Sequence, residues 1–337
     1  MFEKPDISDT TVIASLCTTY GLPIAEITFL PIGADRHTAV YRATTPESTA
    51  YFVKLRGGDF NDMTLRIPRL LYDQGITPVI PPLTTHAGAL WMETDGYALA
   101  VYPFVAGQDA YAVPMLDRHW VELGQAFQAI HAVIIPPDLA GRIPRETYTS
   151  HYRDTVRRFL QTTAEATYSD PVSAGLAALL SHQHATINRI ISRAESLAAR
   201  LKAESSPLVL CHADMHAGNV LLDSAGGLHI VDWDTLILAP KERDLMYAGG
   251  GLFPNQRTPQ EEETLFYRGY SSAQPDPAGL AYYRYERIVQ DIAAYCEQIL
   301  YTEPHNADRA VGLRQLTGQF TPGEVVEIAL CGEDELR

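Results

Sequence analysis

Residues 212–219 read HADMHAGN, and the two runs NVLLD (219–223) and GLHIVDWD (227–234) follow them. The stretch overlaps the β-favouring run LVLCHAD at 208–214, so Asp214 is expected at the end of a strand. The two later runs predict a short β-hairpin that starts at Asn219 and ends at Asp232. Two aspartates and an asparagine therefore lie at strand ends, where we expect the chemistry of this chain.

The spacing H-x-D-x-x-x-x-N, with a second aspartate thirteen residues later, is that of the catalytic loop of protein kinases. Phosphoryl transfer needs a carboxylate to orient the attacking hydroxyl and oxygen ligands for Mg²⁺. The pattern predicts Asp214 as the catalytic carboxylate and Asn219 and Asp232 as metal ligands. Trp233 replaces the usual Phe and no APE motif follows, which argues against a protein kinase itself.

Two other interpretations of the histidines are open at this point. In the simpler interpretation, His212 and His216 only pack and form hydrogen bonds within the loop. In the other, the H-x-D-x-H pattern is half of a zinc hydrolase site. The second leaves Asn219 and the hairpin to Asp232 unexplained.

The periodicity of the chain predicts two regions of different structure. Runs within 27–56 indicate a small antiparallel sheet, and 61–74 a helix that Pro68 breaks or kinks. Helical patterns dominate from about 115, with long segments at 174–202 and 277–300. We therefore expect an α+β protein with a β-rich nucleotide-binding lobe (1–105) and a mainly helical catalytic and substrate-binding lobe (106–337).

Lys54 lies near the end of the apolar strand AYFVKLR (50–56) and is the candidate for contacting nucleotide phosphates. Its usual partner in kinases is a Glu on the next helix. No Glu lies between Lys54 and Trp91, so Asp62 is predicted as the partner.

Two further segments are candidates for nucleotide contacts. Gly33 and Thr38 belong to a loop at 31–38 that would cover the phosphates, unless it is an ordinary hairpin turn. Tyr102 and Phe104, in 101–105, would cover an adenine ring, unless they only end a buried strand.

The composition excludes several partners. With 26 Lys and Arg against 41 Asp and Glu, the formal net charge is -15, and no basic run points to nucleic acid or an anionic membrane. Four scattered cysteines without a CxxC pair, and a first segment unlike a signal peptide, predict a cytoplasmic protein. An acidic protein can attract a cationic small molecule, and solubility is the simpler explanation of the charge. We expect a monomer that binds a nucleotide and a small cationic acceptor.

These residues resemble the aminoglycoside phosphotransferase and choline kinase-like family. Its signature is similar to 212–219, followed by a hydrophobic strand and a motif of the type I-D-W, which reads IVDW at 230–233 here. The segments PIGADRHTAVY, YFVKLR, 238–251 and 282–295 look like its spectinomycin phosphotransferase branch. The resemblance implies a bilobal protein kinase-like fold, ATP or GTP with Mg²⁺, and an aminocyclitol antibiotic as acceptor. It also implies the roles given above to Asp214, Asn219, Asp232 and Lys54; Ala213 replaces the family's usual Gly.

The acceptor is expected between the catalytic loop and the C-terminal helices. The candidates for contacting it are Asp234, Glu242, Tyr283, Glu286, Arg287 and Asp291. For each candidate, the alternative role is membership of a structural ion-pair network, such as Asp244 with Arg243 or Arg287. The alternative functions are a metabolic kinase of the same fold, acting on choline, homoserine or a thiosugar, and a catalytically silent binding protein.

Overall fold

A computed structural model of the protein describes residues 4–32, 37–253, 257–271, 274–302 and 307–332. This part of the chain contains ten strands and twelve α-helices. The strands are β1 (Glu26–Leu30), β2 (Thr38–Thr44), β3 (Ala50–Gly57), β4 (Met92–Thr94), β5 (Tyr97–Pro103), β6 (Gly107–Asp109), β7 (Val209–Cys211), β8 (Val220–Asp223), β9 (Leu228–Ile230) and β10 (Ile237–Ala239). The helices are α1 (Asp9–Tyr20), α2 (Met63–Asp73), α3 (Asp117–Ala132), α4 (Pro137–Ala140), α5 (His151–Glu165), α6 (Pro171–His182), α7 (His184–Glu204), α8 (Glu242–Leu245), α9 (Pro259–Tyr270), α10 (Pro277–Tyr301), α11 (Ala307–Gln319) and α12 (Val325–Cys331).

The chain divides into two compact units that are each discontinuous in sequence. The first unit comprises 1–115, 133–143 and 218–236, and the second comprises 116–132, 144–217 and 237–337. The sequence predicted two continuous segments that meet at residue 105, whereas each observed unit combines three segments of the chain. Strand β6 pairs with β8, and β8 pairs with β9, so the late hairpin belongs to the first unit.

The first unit is built on an antiparallel sheet of order β1-β2-β3-β5-β4, which confirms the sheet predicted over 27–56. Alternation along β3 sends Val53 and Leu55 into a core shared with Leu16 of α1. Lys54 and Arg56 therefore project from the opposite face of the same strand. Helix α2 runs through Pro68 and ends only at Asp73, so no break occurs there.

The second unit packs its helices around the 25-residue helix α10. Buried side chains of α5, α6, α7, α10, α11 and α12 form one apolar cluster. The long helix expected at 174–202 is instead two helices, α6 and α7, which meet at Gln183. Three helices start at a polar N-cap residue followed by proline, a signal readable from sequence: α6 at Asp170, α9 at Thr258 and α10 at Asp276.

Helices α3 and α9 of the second unit approach each other at two glycines. A Cβ atom on Gly124 would collide with the Phe266 carbonyl oxygen, and one on Gly269 with the Val121 carbonyl oxygen. Because both obstacles are backbone atoms, only glycine permits this approach at either position. Among the described residues, no helix combines the length and apolarity needed to cross a membrane.

Candidate active site

In the first unit, two basic side chains of β3 meet two aspartates that follow β9. The Lys54 Nζ atom lies 2.6 Å from Asp234 Oδ2 and 3.2 Å from Asp232 Oδ1. The Arg56 guanidinium also donates to the Asp234 carboxylate. The carboxylates that neutralise Lys54 thus come from a segment 178 to 180 residues further along the chain.

Asp62 is not the partner of Lys54, contrary to the prediction from sequence. Its carboxylate accepts a hydrogen bond from Arg66 Nε at 2.6 Å and another from Arg142. Burial opposes the charge on Asp62, but these two guanidinium groups outweigh it and lower its pKa. The position of Asp62 just before α2 places Arg66, one helical turn later, within hydrogen-bonding distance.

The hairpin brings the two predicted metal ligands to one end of the same pair of strands. Val220 pairs with Ile230, and the Val231 N–H donates to the Asn219 carbonyl at 3.1 Å. Asp232 then turns away with a positive φ of 63°, a conformation that Asp tolerates better than most residues. Its side chain is 50% exposed. A carboxylate and a side-chain amide offer the hard oxygen ligands that Mg²⁺ prefers, so these residues fit that ion.

In the second unit, Asp214 lies in the loop after β7, where its carboxylate contacts a cation. Arg287 Nη1 of α10 donates to Asp214 Oδ1 at 2.5 Å, and His216 Nε2 lies 3.7 Å from Oδ2. Burial opposes the charge on Asp214, but Arg287, with His216 and His212, outweighs it and lowers its pKa. Asp214 is therefore a carboxylate at neutral pH, as a hydroxyl-orienting group must be.

The backbone of this loop is held by Asp244 of α8. The Asp244 carboxylate accepts from the His212 N–H at 2.9 Å and the Ala213 N–H at 2.7 Å. Its Oδ2 atom also lies 3.1 Å from His131 Nε2 of α3. The anticipated pairing of Asp244 with Arg243 or Arg287 is therefore replaced by contacts to loop amides and to a histidine.

The loop histidines contact their own loop. The fully buried His212 accepts from the Asp214 N–H through Nδ1 at 3.3 Å, which agrees with a packing role. Burial lowers the pKa of His216 despite the opposing charge of Asp214. Within the described residues, the His, Cys and acidic side chains grouped closely enough to hold a metal are His131, Cys211 and Asp244. Neither loop histidine is among them, so the zinc hydrolase interpretation gains no support.

The acceptor candidates separate into two sets. Arg287 and Asp291 lie with Asp214, since Arg287 Nε is 2.9 Å from Asp291 Oδ1 and Gln319 Nε2 donates to Asp291 Oδ2 at 2.9 Å. The other candidates in the second unit are buried in structural contacts, and Asp234 in the first unit is occupied by Lys54 and Arg56.

Each buried candidate has a partner inside the fold. Glu242 accepts from the Asp276 N–H at 2.9 Å, at the start of α10. The Tyr283 ring packs against Tyr282, with 4.9 Å between centroids. Glu286 is 2.5 Å from Arg153 Nη1, and burial raises its pKa although Arg153 opposes the rise.

The remaining candidates for nucleotide contacts lie in the first unit. Gly33 is outside the described residues, and Thr38 begins β2 opposite Arg56. Tyr102 lies in β5, its ring centroid 6.3 Å from that of Phe52. Burial raises the pKa of Tyr102, and Asp234 and Asp232 add to the rise. The Arg42 guanidinium stacks over the Phe104 ring at 4.8 Å.

Residues 28–283 match the model of the Phosphotransferase enzyme family. The chain belongs to this family. It is also similar to spectinomycin phosphotransferase APH(9)-Ia in complex with ADP and spectinomycin, with 34% identity, a TM-score of 0.91, and 98% of this chain and 99% of that chain covered. The AMP-bound complex of APH(9)-Ia gives 33% identity and a TM-score of 0.84 over 96% and 98% of the two chains. The protein is therefore a phosphotransferase with an alcohol group as acceptor.

Amicoumacin kinase hAmiN shares the fold at 17% identity, with a TM-score of 0.62 over 96% of this chain and 97% of that chain. No curated protein sequence matches the chain. The predicted fold class is confirmed: an α+β kinase-like fold with an antiparallel sheet in the N-terminal lobe and a helical C-terminal lobe. The suspected family and branch are confirmed as well.

Sequence reasoning missed the residues that support the catalytic loop. His131 reaches it from α3, Asp244 from α8 and Tyr247 from the turn after α8. The Tyr247 hydroxyl donates to the Ala213 carbonyl at 2.9 Å. The available signal was Ala213, because the resemblance to the family implies a glycine at that position. Its φ of 69° is a conformation that glycine adopts freely and alanine does not.

Proposed function

We propose that this phosphotransferase moves the γ-phosphate of ATP or GTP onto a hydroxyl of an aminocyclitol antibiotic such as spectinomycin. The observation that carries the proposal is the 34% identity to spectinomycin phosphotransferase over 98% of this chain. That protein was crystallised with ADP and spectinomycin, and the match leaves almost no part of either chain unpaired. Action as a cytoplasmic monomer is part of the same proposal.

Asp214 is the proposed catalytic carboxylate. The Arg287 charge lowers its pKa, so Asp214 is ionised when a neutral hydroxyl arrives. An ionised carboxylate accepts the hydroxyl hydrogen bond and directs the oxygen lone pair toward the phosphorus, which is the main task of such a residue in phosphoryl transfer. Its proton affinity is low, which suits orientation of the hydroxyl better than early removal of its proton.

Lys54, Asn219 and Asp232 are the proposed nucleotide-side residues. The Lys54 ammonium would bind phosphate oxygens, and its two aspartate partners hold it extended from β3. Asn219 and Asp232 would ligate Mg²⁺, which neutralises phosphate charge when bound. Thr38, Tyr102 and Phe104 remain candidates for contacts to the nucleotide, together with Gly33.

The charges around Asp214 support a cationic acceptor. Among the described contacts, Asp214 and Asp291 both contact the guanidinium of Arg287, so two carboxylates share this cation. Both carboxylates are partly accessible, with side-chain exposures of 27% and 15%. A protonated amine of an aminocyclitol would gain from these carboxylates more than from an exposed ion pair, because the site is largely desolvated.

The test is nucleotide consumption by the purified protein with spectinomycin, an aminoglycoside, choline or homoserine, each with ATP and with GTP. Phosphorylated spectinomycin should appear, and Asp214→Asn should lower kcat by about 10² to 10⁴. Turnover of choline or homoserine without spectinomycin would overturn the acceptor assignment and leave the kinase assignment standing. Near-wild-type turnover by Asp214→Asn would overturn the role of that residue.

A further inference from the structure

Ala213, immediately before the proposed catalytic carboxylate, has a strained backbone. Its φ of 69° lies in the left-handed region, where a Cβ atom crowds the following carbonyl oxygen. The residue is 3% exposed. Such a conformation persists only where surrounding contacts enforce it.

Two residues hold Ala213 in this conformation through hydrogen bonds to its N–H and carbonyl groups. The Asp244 carboxylate accepts the Ala213 N–H at 2.7 Å, and the Tyr247 hydroxyl donates to the Ala213 carbonyl at 2.9 Å. Ala213 and Tyr247 are 3% and 2% exposed, so the bond between them is buried. An unpaired buried carbonyl is costly, which makes the Tyr247 bond a strong restraint.

The Tyr247 hydroxyl, which holds the Ala213 carbonyl, also connects it to the side chain of Asp214. It accepts a hydrogen bond from Arg287 Nη1 at 3.1 Å, and the same nitrogen donates to Asp214 Oδ1 at 2.5 Å. The Arg287 guanidinium lies 5.9 Å from the centre of the Tyr247 ring, within cation–π range. One hydroxyl therefore connects the carbonyl that precedes Asp214 with the cation that holds its carboxylate.

We propose that Tyr247 is a positioning residue that holds Ala213 in its left-handed conformation and thereby aims the Asp214 carboxylate. Asp244 supplies the second restraint, on the amide side. In a relative with glycine at this position the conformation would be unstrained, so this chain depends on the Tyr247 hydroxyl more than such a relative would. The inference rests on the proposed role of Asp214 for its catalytic part and on the contacts alone for its structural part.

The test compares Tyr247→Phe with the double variant Tyr247→Phe/Ala213→Gly. Loss of the hydroxyl should lower kcat for spectinomycin phosphorylation by roughly 5- to 30-fold, the factor that a one or two kcal/mol change produces. KM for the nucleotide should stay within about twofold, because the change does not remove any group proposed to bind it. Ala213→Gly should restore most of the lost kcat, since glycine adopts the conformation without enforcement.

Hydrogen exchange of the amides at 212–214 gives a second measurement that requires no acceptor. Exchange should be faster in Tyr247→Phe and should slow again in the double variant. The matched control is Tyr20→Phe, which also removes a buried hydroxyl donated to a backbone carbonyl, that of Leu99 at 3.2 Å, and should change neither measurement.

The outcomes separate this inference from the proposed function. If spectinomycin is not phosphorylated by the unmodified protein, the proposed acceptor fails while exchange at 212–214 still decides the positioning role. Unchanged exchange in Tyr247→Phe overturns the inference. So does a loss of kcat that Ala213→Gly fails to restore, because the strain of Ala213 would then have no part in it.

Discussion

Glu262, in the first turn of α9, is a carboxyl group 4% exposed to solvent. Its Oε2 atom accepts the Gly249 N–H at 3.0 Å. Burial raises its pKa from an ordinary value of 4.5 to about 7; the neighbouring Glu263 adds to the rise, and the Gly249 bond only partly offsets it. The folded protein therefore keeps this group protonated at a pH where the unfolded chain has already lost the proton.

The sign and size of the effect on stability follow from linkage. A carboxyl group with a raised pKa binds more protons in the folded state, so the free energy of unfolding falls as pH rises from about 4.5 through about 7. A tenfold difference in proton affinity corresponds to about 1.4 kcal/mol. The ionised Glu262 therefore costs about 3 kcal/mol above pH 7.

Glu262→Gln removes the proton equilibrium and keeps an oxygen that can accept the Gly249 N–H. The free energy of unfolding should exceed that of the unmodified protein by about 3 kcal/mol at pH 8 and by little at pH 5. Urea unfolding at both values, followed by tryptophan fluorescence, measures the difference. Glu261→Gln is the matched control: Glu261 is exposed and its pKa is lowered by the Thr258 cap, so it should give no gain at pH 8. An equal change at both pH values for Glu262→Gln would refute this reasoning.

Three more results are expected from single substitutions. Asp232→Ala should raise the Mg²⁺ concentration needed for half-maximal phosphotransfer, and a metal titration showing an unchanged requirement would contradict its role as a ligand. Gly124→Ala should lower the free energy of unfolding by about 1–3 kcal/mol because the added methyl meets backbone, whereas Gly318→Ala, in open space on a helix, should not; urea unfolding of both compares them. Glu286→Gln should cost about 3–5 kcal/mol of stability by leaving the Arg153 charge buried without its counter-ion, with KM for the acceptor unchanged in steady-state kinetics. A higher KM without loss of stability would instead return Glu286 to the acceptor site.

The prediction of the fold succeeded where the signal was local. The strands of 27–56 were readable because apolar alternation and turns define each strand within a few residues. The break expected at Pro68 does not occur, because proline disfavours a helix interior without forbidding it and α2 has a buried face that packs in the fold. The division between α6 and α7 at Gln183 was missed because the apolar pattern continues across it.

The sequence by itself determined the motif at 212–219, the hairpin to Asp232 and the strand that carries Lys54, because each depends on residues close together in the chain. Tertiary structure alone decided which groups surround them. Lys54 meets Asp232 and Asp234 from a distant hairpin instead of the nearby Asp62, and Glu286 is neutralised inside the fold by Arg153. The physical reason is that charges and hydrogen-bonding groups interact through space. A sequence shows which residues can ionise, but packing decides which of them lose water and which partner replaces it.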